Sequence, residues 1–193
     1  MKVVCLAGPS DSGKTTLVER LVPLLQEAGD RVASVKSIHH DIEIDTPGAD
    51  THRHRTAGAE TVVGITPALT FDISTRGKRN PPEVSDDAAD SGPFANAGDG
   101  CEELDDTERT ELQALEHTLT RLERRGYDVV LVEGFSAAPL PTIVVGEPGS
   151  ASIGGDVVGT GDEDLDSLCE TIRGLEEESF LDDGSRPNSS SKG

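Results

Sequence analysis

Two hydrophobic periods alternate along this chain, and their alternation predicts an α/β protein. In residues 2–7, Val3, Val4, Cys5, Leu6 and Ala7 are all apolar, as in a parallel strand buried on both faces. Over residues 14–28 the period lengthens. Leu17, Leu21, Leu24, Leu25 and Ala28 recur at helical spacing, and Gly29 supplies the stop. A second strand is predicted over 31–37, followed by a polar segment and a short helix from Asp50, as N-cap, to Ala57. Strands over 60–65 and 68–74 meet at Thr66-Pro67. Proline cannot donate to a ladder, so this pair is a hairpin or a sheet edge. Leu112, Leu115, Leu119 and Leu122 mark a helix over 107–125. The run 127–133 is the most apolar strand, with further strands over 141–146 and 156–159 and a last helix over 162–177.

Buried strands separated by helices argue for a mostly parallel sheet flanked by helices on both faces. Residues 76–106 interrupt the pattern. They are rich in Gly, Pro, Asp and Glu, and such a stretch buries too little to offset its ordering entropy. They are expected to form a flexible acidic insertion within one domain of residues 1–178, with 179–193 a disordered tail. A chain of 193 residues is long enough to bury a real core.

Charge narrows the partners. Asp and Glu number 37 against 17 Lys and Arg, for a net charge of −20 and a pI near 4.4. Nucleic acid and anionic membrane surfaces both require a basic face and are excluded as expected partners. No apolar run approaches membrane-spanning length and the N-terminus enters a strand directly, so a cytoplasmic protein is expected. The acid is spread along the whole chain and only five lysines are present, a balance that resembles a halophile's cytosolic protein. Cys5, Cys101 and Cys169 form no C-x-x-C pair, so no zinc knuckle or dithiol site is written here; Cys5 should pack as a small hydrophobe.

Residues 8–15 read Gly-Pro-Ser-Asp-Ser-Gly-Lys-Thr between the first strand and the first helix. This is the G-x-x-x-x-G-K-[ST] phosphate-binding loop in its confirming context, a P-loop NTPase arrangement. Its backbone N–H groups and the helix N-terminus favour phosphate. The candidate nucleotide-binding residues are Gly8, Ser10, Asp11, Ser12, Gly13, Lys14, Thr15 and Thr16. Lys14 is expected to reach the β- and γ-phosphates, and the Thr15 hydroxyl to ligate Mg²⁺. Glu133 ends an apolar strand before Gly134-Phe135, where P-loop proteins place an acid to hold or orient hydrated Mg²⁺. Arg53 and Arg55 offer guanidinium forks for a phosphate or another chain, with a solvated Arg53 as the alternative. His39, His40, Asp41, His52 and His54 invite a metal reading. Adjacent histidines in an extended stretch point to opposite sides, however, and the spacing matches no fixed zinc site. No Asn-Lys-x-Asp stretch reads guanine.

Taken together, these blocks resemble the molybdopterin-guanine dinucleotide biosynthesis adaptor family, MobB. The likeness is carried by Gly8–Thr16, Lys36-x-x-His39-His40-Asp41, Asp45-x-Pro47-Gly48-x-Asp50, Arg55-x-Ala57-Gly58-Ala59 and Leu131-Val132-Glu133-Gly134-Phe135, in family order over residues 1–145. Three features depart from the family pattern: Ser136 where Lys is usual, Gly146-Glu147 where many members carry Arg, and the acidic insertion. The resemblance implies a homodimer that binds GTP with Mg²⁺ and hydrolyses it weakly. It would assist the transferase that attaches GMP to molybdopterin, and the enzyme that inserts molybdenum. Within it, Lys14, Asp41 and Glu133 are the catalytic candidates, with Asp41 assisting the metal or the attacking water, and Thr15 and Glu133 the metal ligands. Two rivals remain at this point: a GTP-dependent metal-delivery protein using His39 and His40, and a small-molecule kinase.

Overall fold

The computed structural model describes residues 1–82, 94, 105–147 and 153–181. In chain order its elements are β1 (Lys2–Ala7), α1 (Lys14–Glu27), β2 (Val32–Lys36), α2 (Asp50–Thr56), β3 (Thr61–Ile65), β4 (Thr70–Ser74), α3 (Asp106–Arg124), β5 (Val129–Glu133), β6 (Thr142–Val144), β7 (Val157–Thr160) and α4 (Leu165–Gly174). Five strands form one sheet in the order β2-β5-β1-β6-β7, and every pairing in it is parallel. The expected mostly parallel sheet is therefore present.

Side-chain alternation along β1 and β5 divides the core in two. Val3, Cys5, Val130 and Val132 face Leu112, Leu115 and Leu119 of α3. Val4, Leu6, Val129 and Leu131 face Leu17, Leu21 and Leu25 of α1 and Leu168 and Ile172 of α4. Helices thus cover both faces, and truncating one such buried Leu to Ala would cost about 2–5 kcal/mol. Pro23 lies inside α1 on an exposed position. It withholds one N–H from the helix on the solvent side, where water can serve the freed carbonyl.

β3 and β4 form a separate antiparallel hairpin, with Val62 opposite Ile73. Thr66 closes the turn: its N–H donates to the Leu69 carbonyl and its hydroxyl accepts from the Ala68 and Leu69 amides. Of the two expected arrangements for this pair, the hairpin is the one adopted.

Three boundaries need correction. Asp50 is the first residue of α2, and Ala49 occupies the N-cap. The expected insertion 76–106 is partly docked. Arg76 pairs with Glu60, Lys78 with Glu111 and Arg79 with Asp41, and Phe94 is buried edge-on against Phe180. Its C-terminal limit also moves. The Asp105 carboxylate accepts from the Glu108 amide while the Glu108 carboxylate accepts from the Asp105 amide, a capping box that starts α3 at Asp106. The tail likewise begins later than 179, because Phe180 packs in the α3-side core and its amide donates to Glu123 Oε2. Residues 83–93, 95–104 and 182–193 of these two segments lie outside the described residues.

Candidate functional site

Parallel strands bring the carboxyl ends of β1, β5 and β2 to one edge of the sheet, which is where ligands bind in such folds. A cavity of about 610 Å³ opens there, lined by the loop from Gly8 to Thr16 together with Lys36, Ser37, His39, Glu133, Gly134 and Ser136. Its size suits a small-molecule or cofactor ligand. The structure therefore assembles all eight candidate loop residues with Glu133, although 117 positions separate Thr16 from that acid in the chain.

Backbone geometry shapes the loop. At Gly8 (φ +153°) a Cβ would lie 2.1 Å from the Val145 carbonyl oxygen, so only glycine lets the loop leave β1 against β6. Asp11 takes a left-handed conformation at φ 60°, one that Asp tolerates better than most residues. Gly13 is the N-cap of α1, and no side chain caps the helix there. The first N–H groups of α1 are thus left without a capping acceptor, which makes that end a seat for an anion.

Side chains close the constellation. Lys14 Nζ donates to the Gly8 carbonyl at 2.8 Å and to the Pro9 carbonyl at 2.5 Å, across the mouth of the loop. The Thr15 hydroxyl lies 3.1 Å from both oxygens of Glu133. A hydroxyl beside a carboxylate is a hard oxygen donor set of the kind Mg²⁺ prefers.

Sequence reasoning gave Lys36 no role, yet it completes this cluster. Its ammonium lies 2.6 Å from Glu133 Oε1 and 3.2 Å from Thr15 Oγ1. Register explains the encounter: Lys36 and Glu133 are direct partners on the neighbouring strands β2 and β5. Phe135, two residues beyond Glu133, anchors this strand end in the core. The Lys78 ammonium lies 5.3 Å from its ring and donates to the Ser37 hydroxyl.

The remaining candidates lie elsewhere. Asp41 does not line the loop cavity; its carboxylate is exposed and pairs with Arg79 at 3.0 Å. It belongs to a larger groove of about 1140 Å³, which meets the cavity at Lys36 and His39. Arg55 is not free for an external phosphate: both Glu43 oxygens accept from its Nη2 at 2.7 Å. The Asp45 amide and this guanidinium together hold the Glu43 carboxyl below its ordinary range. Arg53 is exposed and pairs only locally with Asp50. Among the described residues, no three His, Cys, Asp or Glu side chains converge as a metal site would require. Cys5 is buried, its thiol lies 3.4 Å from the Phe135 carbonyl, and burial pushes its pKa up to about 11.

A parallel sheet flanked by helices, with a glycine-rich loop joining β1 to α1 and an acid at the tip of the adjacent strand, defines a P-loop NTPase fold. A family model described as "MobB: Molybdopterin guanine dinucleotide synthesis protein B" matches residues 3–91. Within the P-loop class, this chain belongs to the MobB family. It is similar to the molybdopterin-guanine dinucleotide biosynthesis adapter protein of Escherichia coli K12, at 30% identity over 148 residues covering 77% of this chain and 67% of that protein. The Haemophilus influenzae protein of the same name is 29% identical over 140 residues, covering 72% of this chain and 60% of that protein. The match thus spans about two thirds or less of these relatives' lengths. Among solved structures, Bacillus subtilis MobB superposes with a TM-score of 0.54 at 20% identity, over 91% of this chain and 100% of that one, a likeness of fold.

Proposed function

We propose that this chain is a GTP-binding adaptor in molybdopterin guanine dinucleotide biosynthesis, acting as a nucleotide-gated switch with weak GTPase activity. One observation carries the nucleotide part: the loop from Gly8 to Thr16, Lys14, Thr15 and Glu133 all line one cavity at the carboxyl edge of the sheet. The choice of GTP and of the pathway rests on the family membership and on the relatives' names.

In this reading the loop amides and the uncapped start of α1 hold the phosphates, and Lys14 turns from the loop carbonyls to phosphate oxygens. Thr15 and Glu133 hold Mg²⁺, which would neutralise phosphate charge during hydrolysis. Among the described residues, neither arginine nor glutamine lines the cavity. With no such group to stabilise the transition state or orient water, hydrolysis is slow. His39 lies at the meeting of cavity and groove, so the terminal phosphate orders the segment from His39 to Asp50 and alters the surface a partner meets. The partners are the transferase that attaches GMP to molybdopterin and the molybdenum-inserting enzyme. The protein works as a homodimer in the cytoplasm. Among the described residues, no helix is long and apolar enough to cross a membrane.

A crystal grown with Mn²⁺ and a non-hydrolysable GTP analogue tests the site. The expected result is an anomalous peak beside Thr15 and Glu133 with the phosphates on the loop amides. Nucleotide bound outside this cavity would refute it.

A further inference from the structure

We infer that Lys36 is the residue that senses the third phosphate, linking its presence to the segment between β2 and α2. The inference rests on the proposal that the loop cavity binds a nucleotide, and adds to it the device that distinguishes triphosphate from diphosphate.

Four observations carry it. Lys36 is a second ammonium lining the cavity that contains Lys14. Both are among only five lysines in a chain of net charge −20, so each is a scarce attraction for an anion. Second, the Lys36 ammonium is held by the atoms proposed for the metal, Glu133 Oε1 at 2.6 Å and Thr15 Oγ1 at 3.2 Å. Third, its side chain is 53% exposed while that of Glu133 is 12% exposed. The carboxylate is largely enclosed, and the ammonium reaches it from the solvent side. The exposed cation can exchange this partner for water or another anion, so a competing ligand can break the pair. Fourth, the backbone on either side is pinned. Lys36 is in register with Glu133, and the Ser37 amide donates to the Glu133 carbonyl at 2.8 Å. The Lys36 side chain and the residues beyond Ser37 lie outside this ladder.

The chemistry is a competition. Glu133 Oε1 and the Thr15 lone pairs can serve the Lys36 ammonium or a divalent cation, but not both well, because the two cations repel at such distances. Lys36 released from these oxygens needs another anionic acceptor within the cavity. A terminal phosphate provides one and a diphosphate, one phosphate shorter, leaves the ammonium without it. Beyond Ser37 the chain carries Ile38, Ile42 and Ile44, each at least 41% exposed, with no helix or strand until Asp50. Lys36 sits at the root of this segment, so its two positions bias the conformation of residues 38–49.

Calorimetric titration with Mg²⁺ and either GDP or a non-hydrolysable GTP analogue tests this on wild type, Lys36→Met, Lys36→Arg and Lys14→Ala. Lys36→Met should weaken the triphosphate analogue about 10-fold, or ~1.4 kcal/mol, leave GDP within about 2-fold, and leave Tm unchanged. Lys36→Arg should restore part of the discrimination. In wild type, hydrogen exchange of amides 38–44 should slow with the triphosphate analogue and not with GDP; in Lys36→Met the two nucleotides should give the same protection. Equal losses for di- and triphosphate in Lys36→Met, or none for either, would overturn the sensor while leaving the site intact. Full nucleotide binding by Lys14→Ala would instead overturn the site, and the sensor with it.

Discussion

Gly8 shows how much of the loop depends on one missing side chain. A methyl group there would stand 2.1 Å from the Val145 carbonyl oxygen and 3.0 Å from Ser12 Oγ, and the first of these is backbone that cannot swing aside. Gly8→Ala should lower stability by about 1–3 kcal/mol in chemical denaturation and weaken nucleotide binding with it. An unchanged midpoint would mean that the loop accommodates the methyl. At this scale the sequence reveals residues whose spacing is local and fixed. Gly8, Gly13, Lys14 and Thr15 fall within eight positions, so their grouping needs no knowledge of the fold. Lys36 and Glu133 are 97 positions apart, and they meet only because β2 and β5 are neighbours in register. Arg55 looked available for an anion because Glu43, 12 residues earlier, reaches it only through the turn of the polar segment.

Among the elements, the β3–β4 hairpin depends most on its anchors, since a two-stranded ribbon is marginal alone. Val62 and Ile73 face inward. On β4, Asp72 accepts two bonds from Arg121 and one from Arg125, all from the α3 side. Hydrogen bonds from Arg121 and then Arg125 hold the Asp72 carboxyl below its usual range. A carboxyl depressed in the fold contributes stability above its unfolded pKa, near 3.9, and loses it as pH falls through the lower folded value. His117 on α3 is lowered by burial and by Arg121 and Arg124. Its neutral form is favoured in the fold, so acidification costs stability from about pH 6.5 downward. Two acid-side losses are therefore expected in a pH series of denaturation midpoints. Asp72→Asn should lower stability at neutral pH and remove the loss below about pH 4; an unaltered acid limb would mean that the clamp carries nothing. Periodicity foretold each helix and strand. It did not foretell that β5 lies between β2 and β1, because alternation of strands and helices fixes no spatial order. Nor did it foretell that Phe94 and Phe180, set in polar stretches without a period, belong to the core.

For the whole molecule, charge dominates. A net charge of −20 repels itself, and ionic strength shortens that repulsion from about 10 Å at 0.1 M to about 3 Å at 1 M. Raising KCl from tens of millimolar to molar should therefore raise Tm, despite weakening exposed pairs such as Arg53–Asp50 and Arg79–Asp41. A falling Tm would mean that ion pairs outweigh self-repulsion. The same field disfavours approach of any anion, and at the proposed site the amides of the α1 N-terminus and Lys14 would offset it. Binding should be measured in high KCl for that reason. The decisive comparison is calorimetric titration of wild type and Lys14→Ala with GTP and Mg²⁺ in molar KCl. Wild type should take one nucleotide per chain, and Lys14→Ala should bind about 100-fold more weakly, ~2.8 kcal/mol, with Tm unchanged. GTP binding of equal strength in Lys14→Ala would show that the loop around Lys14 is not where this protein holds its nucleotide.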